Sequence, residues 1–212
     1  MSPQRRELPD FAEIESLMDS ASIIAEWKQR LVALADHPAY VFRDTPQHLI
    51  DEHYHRLTSF LGFSEEDVAS AEERWKIRFP EVFRRYLLEM AKSPGDLFRG
   101  SDLVDIVELG QFRRDAEKLL GDSDPPLELP TAAVVFLMHH GYTFLSILAA
   151  GGFDGPVMQW RKLAATPRQV ARTFGEMVNA ELRLMEKTNR KFRERGGYIL
   201  TLFPGGGGSM EF

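Results

Sequence analysis

Hydrophobic residues in the first 62 positions recur at helical rather than strand spacing. The clearest apolar stripe consists of Ile23, Ile24, Trp27, Leu31 and Leu34. This spacing predicts an amphipathic helix. Pro38 and Pro46 interrupt the pattern, because proline lacks an amide donor and disfavours helix in the residue before it. A second helix is expected from Thr45 towards Leu61, with Gly62 as its C-terminal stop.

Residues 64–95 carry two further helical patterns. Ser64 is placed as an N-cap, and Asp67 follows three residues later in a variant of the capping box. The positions of this helix that are expected to face a core are Val68, Ala71 and Trp75. Pro80 suits the first turn of the next helix, which is predicted to end at 93–95. Its predicted buried face consists of Phe83, Tyr86, Leu87 and Met90.

The strongest strand pattern lies between residues 132 and 160. Apolar runs at 132–139 and 142–148 flank His140-Gly141, a two-residue turn of the kind that joins antiparallel strands. A second turn at 151–155 leads to a strand at 156–160. These strands are more apolar than simple alternation requires, which predicts that both faces of the sheet are at least partly covered.

Shorter patterns complete the outline. Residues 103–108 alternate like a strand, 111–120 form a short charged helix, and Thr166-Pro167 opens a long helix. The apolar side of that helix consists of Val170, Phe174, Met177, Val178 and Leu182. Residues 196–204 are expected to add an edge strand, and 205–209 have the composition of a flexible linker. The predicted fold class is α+β, with a central antiparallel sheet of about four to six strands flanked by helices and an N-terminal helical extension.

The composition narrows the class of protein. The 212-residue chain contains no cysteine, which excludes disulfides, thiolate metal sites and cysteine nucleophiles. It has no uncharged apolar run of about 18 residues, so no membrane-spanning helix is expected. The polar N-terminus does not resemble a secretion signal. Together these features predict a cytoplasmic protein that does not act at a membrane.

The formal net charge of −6 is unevenly distributed along the chain. Acidic residues predominate between Glu65 and Glu128, and basic residues predominate after Arg161. Because an acidic surface repels phosphate backbones and attracts basic proteins, we expect a protein partner and no direct contact with nucleic acid. Both regions are also compatible with ordinary solvated faces.

Three clusters resemble reactive sites, and each has a simpler interpretation. One cluster consists of His48, Asp51, Glu52, His53 and His55. Its two i, i+4 pairs point in different directions, whereas a catalytic zinc ion needs three converging ligands. His139-His140 lies at a turn without a nucleophile motif or an evident partner. The glycines of 151–155 precede a strand rather than open a helix, unlike a phosphate-binding loop. No catalytic residue, metal or cofactor is therefore expected.

Glu72 and Trp160 are single side chains with a predicted special role. Glu72 lies on or beside the apolar stripe of its helix, and a buried carboxylate needs a partner. An ion pair or hydrogen bond that pins the helix to the sheet is therefore favoured over a contact with a ligand. Tryptophans are more often core residues than binding anchors, but Trp160 ends a strand near the glycine turn and is the best candidate for a partly exposed anchor.

Two segments carry a family resemblance. The segment 63–100, FSEEDVASAEERWKIRFPEVFRRYLLEMAKSPGDLFRG, places a glutamate eight residues before a proline and continues with bulky residues on the next helix. The positions concerned are Glu72, Trp75, Phe79, Pro80, Phe83, Tyr86 and Leu87. The segment 134–160, VVFLMHHGYTFLSILAAGGFDGPVMQW, contains hairpins and a glycine-rich turn. In this order the two segments resemble the SUKH superfamily, which includes bacterial immunity proteins and a fungal regulator of cell-wall synthesis.

The resemblance covers roughly residues 63–185. It implies three parts, namely a helical extension at 1–62, a SUKH-like α+β domain at 63–195 and a tail at 196–212. One departure concerns 93–95, where Ser-Pro-Gly stands in place of the Asn-Gly that ends the second helix in many members.

The resemblance implies a non-enzymatic protein-binding domain. Most bacterial members look like immunity proteins of polymorphic toxin systems, which neutralise a cognate toxin that is often a nuclease. An acidic immunity protein can mimic the nucleic acid that a basic nuclease binds. The residues expected to dock the partner are Asp96, Asp102, Asp105, Glu108, Asp122, Asp124, Asp154 and Trp160. A regulatory or scaffolding domain without a toxin partner is the alternative.

Overall fold

The computed structural model describes residues 19–36, 46–123, 126–162, 166–195, 201–202 and 208–209. The helices are α1 (Ser20–Asp36), α2 (Gln47–Thr58), α3 (Glu65–Trp75), α4 (Glu81–Glu89), α5 (Leu109–Gly121) and α6 (Phe174–Glu194), with a 3-10 turn at Ile106–Glu108. The strands are β1 (Phe60–Leu61), β2 (Ser93–Pro94), β3 (Asp102–Leu103), β4 (Ala133–His139), β5 (Thr143–Leu148), β6 (Val157–Arg161), β7 (Arg168–Ala171), β8 (Thr201–Leu202) and β9 (Gly208–Ser209).

The central element is a five-stranded antiparallel sheet in the order β3-β4-β5-β6-β7. Its strands follow one another in sequence, so each neighbour is also the next strand along the chain. At the β4–β5 turn both His140 (φ 50°) and Gly141 (φ 69°) have positive φ, as a primed two-residue turn requires. The α+β class and the predicted central meander are therefore confirmed.

Hydrophobic side chains cover both faces of the sheet. On β4, Val134 and Phe136 belong to the main core, whereas Val135 belongs to a second cluster on the opposite face. Helix α5 covers this second face with Ala116, Leu119 and Leu120. Alternate residues of a strand point to opposite faces, so apolar residues at both alternations require two covering layers. The prediction of a two-sided sheet is confirmed.

The main core is centred on Phe174 at the start of α6. Its ring lies 4.9 Å from that of Phe83 and 5.5 Å from that of Phe136, in edge-to-face arrangements. Trp27 of α1 makes a further edge contact at 6.0 Å. Such aromatic pairs add stabilisation beyond the area that they bury. Through Trp27, helix α1 shares one continuous core with the sheet.

The local signal at the start of α3 is confirmed. The Ser64 hydroxyl accepts a hydrogen bond from the Asp67 amide at 3.1 Å, and the Asp67 carboxylate accepts one from the Ser64 amide at 3.2 Å. This is the reciprocal capping box. Pro80 occupies the N-cap of α4 rather than its first turn, and the predicted apolar face of that helix is buried.

The predicted end of α2 is wrong. The helix stops at Thr58, and Phe60–Leu61 instead pairs as β1 with Ser93–Pro94. Gly62 is required by close approach, because a Cβ atom there would lie 2.0 Å from the carbonyl oxygen of Leu88. A hydrogen bond from the Phe63 amide to the Leu87 carbonyl, 2.8 Å long, fixes this approach.

Three further element predictions need correction. The strand at 103–108 is reduced to β3, because Asp105 caps the 3-10 turn that follows. The segment after Pro167 forms β7 with Val170 exposed, and the helix begins only at Phe174 behind its N-cap Thr173.

Trp75 is 38 % exposed and packs over Gly110 rather than into the core. In the tail, β8 pairs with β9, and the rest of 196–207 lies outside the described residues.

Candidate protein-binding surface

Three of the predicted docking residues lie together on the edge of the sheet formed by β3 and the 3-10 turn. Asp102, Asp105 and Glu108 are all exposed, and we refer to them as the acidic edge. Asp102 stands opposite Met138 in the β3–β4 register. The Asp105 carboxylate accepts a hydrogen bond from the Val107 amide at 2.9 Å, which begins the turn. In the described part of the chain none of the three carboxylates forms an ion pair.

The acidic edge also carries apolar surface. Val107, between Asp105 and Glu108, is 58 % exposed. The edge therefore combines negative charge with a small hydrophobic contact, the two components that protein interfaces use for orientation and affinity.

The structure places Asp122 on another part of the surface. It follows the last turn of α5 and lies 3.6 Å from the ammonium of Lys162, with both side chains about half exposed. This pair partly neutralises the carboxylate. Asp124 lies outside the described residues.

Asp96 is engaged in contacts within the fold and is not part of the acidic edge. Its carboxylate forms ion pairs with Arg56 at 2.7 Å and with Arg99 at 3.7 Å, and its side chain is 12 % exposed. The neighbouring Glu181 is half-buried; burial raises the pKa of its carboxyl, and the Asp96 charge raises that pKa further. Asp96 is thus held by two arginines, and its charge is felt by the carboxyl of Glu181 on α6.

Asp154 caps the N-terminus of α6. Its carboxylate accepts hydrogen bonds from the amides of Gly155 (2.7 Å), Phe174 (3.0 Å) and Gly175 (2.9 Å). Burial raises the pKa of Asp154, whereas the amide hydrogen bonds act in the opposite direction. A carboxylate with three backbone donors contributes to the fold through the first turn of the helix.

The prediction that Trp160 is partly exposed is wrong. The side chain is 5 % exposed and belongs to the cluster beneath α5. Its ring stacks on Phe144 with centroids 5.7 Å apart, and its Nε1–H donates a hydrogen bond to the Ser146 hydroxyl at 3.0 Å. The strand end is covered because α5 lies across this face, a long-range contact that the local pattern does not contain.

Glu72 has the partners that a buried carboxylate needs. It is 4 % exposed, and its Oε1 accepts a hydrogen bond from the Phe79 amide at 2.9 Å. Its Oε2 lies 3.4 Å from Arg78 and from Arg84. The backbone of Arg78 in turn bonds to Ala149 and Gly151 beyond β5. Glu72 thus has the hydrogen bond and ion pairs that were expected of a structural carboxylate, but its own partners lie in the α3–α4 turn and on α4 rather than on the sheet.

A candidate contact region that the sequence reasoning missed lies at the tip of the β4–β5 hairpin. The rings of His140 and Tyr142 stack with centroids 6.0 Å apart, and Tyr142 is half exposed. His139 shares a 3.0 Å hydrogen bond with Ser101, the residue before Asp102. The tip therefore adjoins the acidic edge. The available signal was a histidine at a turn position that asparagine usually occupies.

The clusters with possible chemistry offer no assembled site. Among the described residues no group of three or more His, Asp or Glu side chains is placed to hold a metal ion. The glycine-rich turn faces the start of α4 with carbonyl oxygens. The carbonyls of Gly152 and Phe153 accept hydrogen bonds from the first amides of α4, each 2.9 Å long. Nor does any helix in the described ranges have the length and apolarity to cross a membrane.

Comparison with known proteins identifies the family. No curated protein shows significant similarity to the chain. The model of the SMI1 / KNR4 family (SUKH-1) matches residues 62–180, which is more than half of the chain and includes α3, the acidic edge, the central sheet and the start of α6. The chain therefore belongs to the SMI1 / KNR4 family (SUKH-1), as its resemblance to the SUKH superfamily predicted.

Proposed function

We propose that the chain is a non-enzymatic immunity protein that neutralises a toxin by docking a basic surface of that toxin on its acidic edge. Membership of the SUKH-1 family suggests a protein-interaction or immunity-type module. The observation that carries the choice of surface is the exposure, along one seven-residue stretch, of three carboxylates that form no ion pair with any described residue.

The acidic edge suits recognition because the backbone of Asp102 and the carboxylate of Asp105 are held in place. Asp102 lies on a strand that is hydrogen-bonded to β4, and Asp105 is fixed by its bond to the Val107 amide. Fixed charges steer a complementary partner and lose little entropy when it binds. Asp96 and Asp154, whose carboxylates bond within the fold, contribute less to such steering. A nuclease that binds nucleic acid through cations is one class of partner with the required charge.

The partner can be sought by affinity purification of the tagged full chain from its native cell, with the product of the adjacent gene as the first candidate. Recovery of a toxin, and inhibition of that toxin by the pure chain, would support the proposal. Recovery of housekeeping proteins alone would instead favour a regulatory or scaffolding module.

The docking surface is tested by charge substitution. In the triple variant Asp102→Lys, Asp105→Asn and Glu108→Lys, asparagine preserves the cap at 105. Association with the purified partner should slow at least tenfold, and the salt dependence of its rate should weaken. A control with the same change in net charge combines Asp51→Asn, Glu52→Lys and Glu66→Lys, all at exposed helical positions elsewhere. Equal slowing in both triple variants would contradict this docking surface.

A further inference from the structure

Helix α6 presents positive charge to solvent along one side. Arg183, Lys187, Arg190 and Lys191 are exposed and spaced at i, i+4, i+7 and i+8, which places them on one face of a helix. We refer to these four residues as the basic face. The side of α6 that packs into the core carries Phe174, Val178 and Leu182 instead.

Two of the four acidic residues of α6 form ion pairs with residues outside the helix, and a third, Glu181, is half-buried. Glu186 accepts a bidentate contact from Arg30 of α1, at 2.7 and 3.0 Å, and Glu176 pairs with Arg172 at 3.3 Å. Within the described ranges no residue of the basic face forms an ion pair. Glu194 leaves one exposed negative charge near its end. The helix therefore has a net positive exterior on an acidic protein.

Two ordinary explanations do not account for this face. Cations stabilise the C-terminal end of a helix, but that effect is confined to the last turn. It covers Lys191 and the residues after it, and not Arg183 or Lys187. Solubility is also no reason, because added positive charge moves a chain of net charge −6 towards neutrality.

We propose that the basic face binds the phosphate backbone of duplex DNA without reading its sequence. Arginine guanidinium groups match phosphate geometry, and a helix of this kind can approach the major groove of B-form DNA. The A-form major groove of RNA is too narrow for such an approach. A membrane surface fits less well, because the apolar side that would enter the lipid is buried against Phe83 and Phe136.

This proposal is independent of the proposed immunity function and replaces an expectation drawn from composition. Net acidity predicts no contact with nucleic acid only if the charges are mixed over the surface. The structure places the acidic edge on β3 and the 3-10 turn, and the basic face on α6. Charges of one sign that are grouped on one element can attract an anion that the molecule as a whole repels.

The test is fluorescence anisotropy of the full chain with a labelled random DNA duplex of about 20 base pairs, at several salt concentrations between about 50 and 200 mM. Wild-type protein should bind with micromolar affinity at the lowest salt. The variant Arg183→Gln, Lys187→Gln, Arg190→Gln should bind at least tenfold more weakly, and its log–log salt slope should fall by roughly 2 to 3. All three positions are exposed, so its thermal unfolding should match that of the wild type.

The matched control combines Arg74→Gln, Lys76→Gln and Lys118→Gln, which removes three exposed positive charges from α3, its C-cap and α5. It should keep near wild-type affinity. The proposal would be overturned by absence of wild-type binding at the lowest salt, by equal losses in both triple variants, or by stronger binding to duplex RNA of the same sequence. Preferential binding to phosphatidylserine vesicles would overturn it as well.

Discussion

Glu72 and Phe79 are joined by a buried hydrogen bond of 2.9 Å that runs from the backbone amide of Phe79 to the carboxylate of Glu72. The bond closes the turn between α3 and α4. Arg78 lies inside that turn and bonds through its backbone to the residues after β5. One side chain on a helix therefore helps to fix the turn that leads into the next helix.

Removal of the Glu72 carboxylate should destabilise the fold substantially. Glu72→Ala leaves the Phe79 amide without its acceptor, which should cost about 2 to 4 kcal/mol of unfolding free energy. Glu72→Gln retains an acceptor oxygen and should cost less, about 1 kcal/mol. Urea unfolding measures both. The exposed neighbour Glu73→Ala should stay within about 0.5 kcal/mol of wild type, and equal effects at 72 and 73 would contradict the assigned bond.

Gly62 should tolerate no side chain. A Cβ atom there would lie 2.0 Å from the Leu88 oxygen and 2.4 Å from the Glu89 nitrogen, and both are backbone atoms that cannot move aside alone. Gly62→Ala should lose more than about 3 kcal/mol or fail to fold. The control is Gly121→Ala at the end of α5, where an added Cβ atom would meet no atom within 4 Å outside its own helix backbone and its chain neighbours. It should be neutral or slightly stabilising in thermal unfolding. A Gly62→Ala variant of native stability would contradict the close approach.

The start of α3 and the glycine at position 62 show what local sequence can and cannot predict. The capping box of Ser64 and Asp67 lies within four residues, so its chemistry is visible in the chain itself. Gly62 also follows a helix, and the same local rules read it as a helix stop. Its real constraint comes from Leu88, 26 residues later. Local signals predict elements, whereas contacts distant in sequence decide why some residues are there.

The candidate surface was only partly predictable for the same reason. Composition indicates an acidic middle region but does not distinguish carboxylates that bond inside the fold from those that face solvent. Asp154 caps α6, which begins 20 residues later, and Asp96 pairs with Arg56, 40 residues earlier. Asp102, Asp105 and Glu108 are exposed because β3 is the outermost strand of the sheet. Strand order had to be known before the acidic edge could be located.

His53 should make stability depend on pH. Burial, together with the charges of Arg56 and Arg99, lowers the pKa of His53 from 6.5 to about 4. Between these values the unfolded chain binds a proton that the folded chain does not. The unfolding free energy should therefore fall as the pH drops from about 6.5 to about 4, by on the order of 3 kcal/mol in total. Above pH 6.5 this residue contributes no dependence on pH.

The His53 prediction is checked by chemical unfolding at several pH values. Aspartate and glutamate side chains also change protonation at the lower end of this pH range. The informative quantity is therefore the difference in unfolding free energy between wild type and His53→Gln. That difference should be constant above pH 6.5 and should shift in favour of the variant below it. His48→Gln, at an exposed position of the same helix, should retain the wild-type profile. Parallel profiles for wild type and His53→Gln would disprove the role of this imidazole.

Trp160 should matter for stability and not for binding. Trp160→Phe retains an aromatic ring against Phe144 but removes the donor to the buried Ser146 hydroxyl. The loss should be about 1 to 3 kcal/mol in urea unfolding. Adding Ser146→Ala should recover part of the lost unfolding free energy, because the double variant has neither the indole donor nor the serine hydroxyl and leaves no buried polar group unsatisfied. Since the side chain lies beneath α5, the association rate with the partner should stay at the wild-type value. Slower association in a stably folded Trp160→Phe variant would contradict this prediction and show that Trp160 contributes to binding.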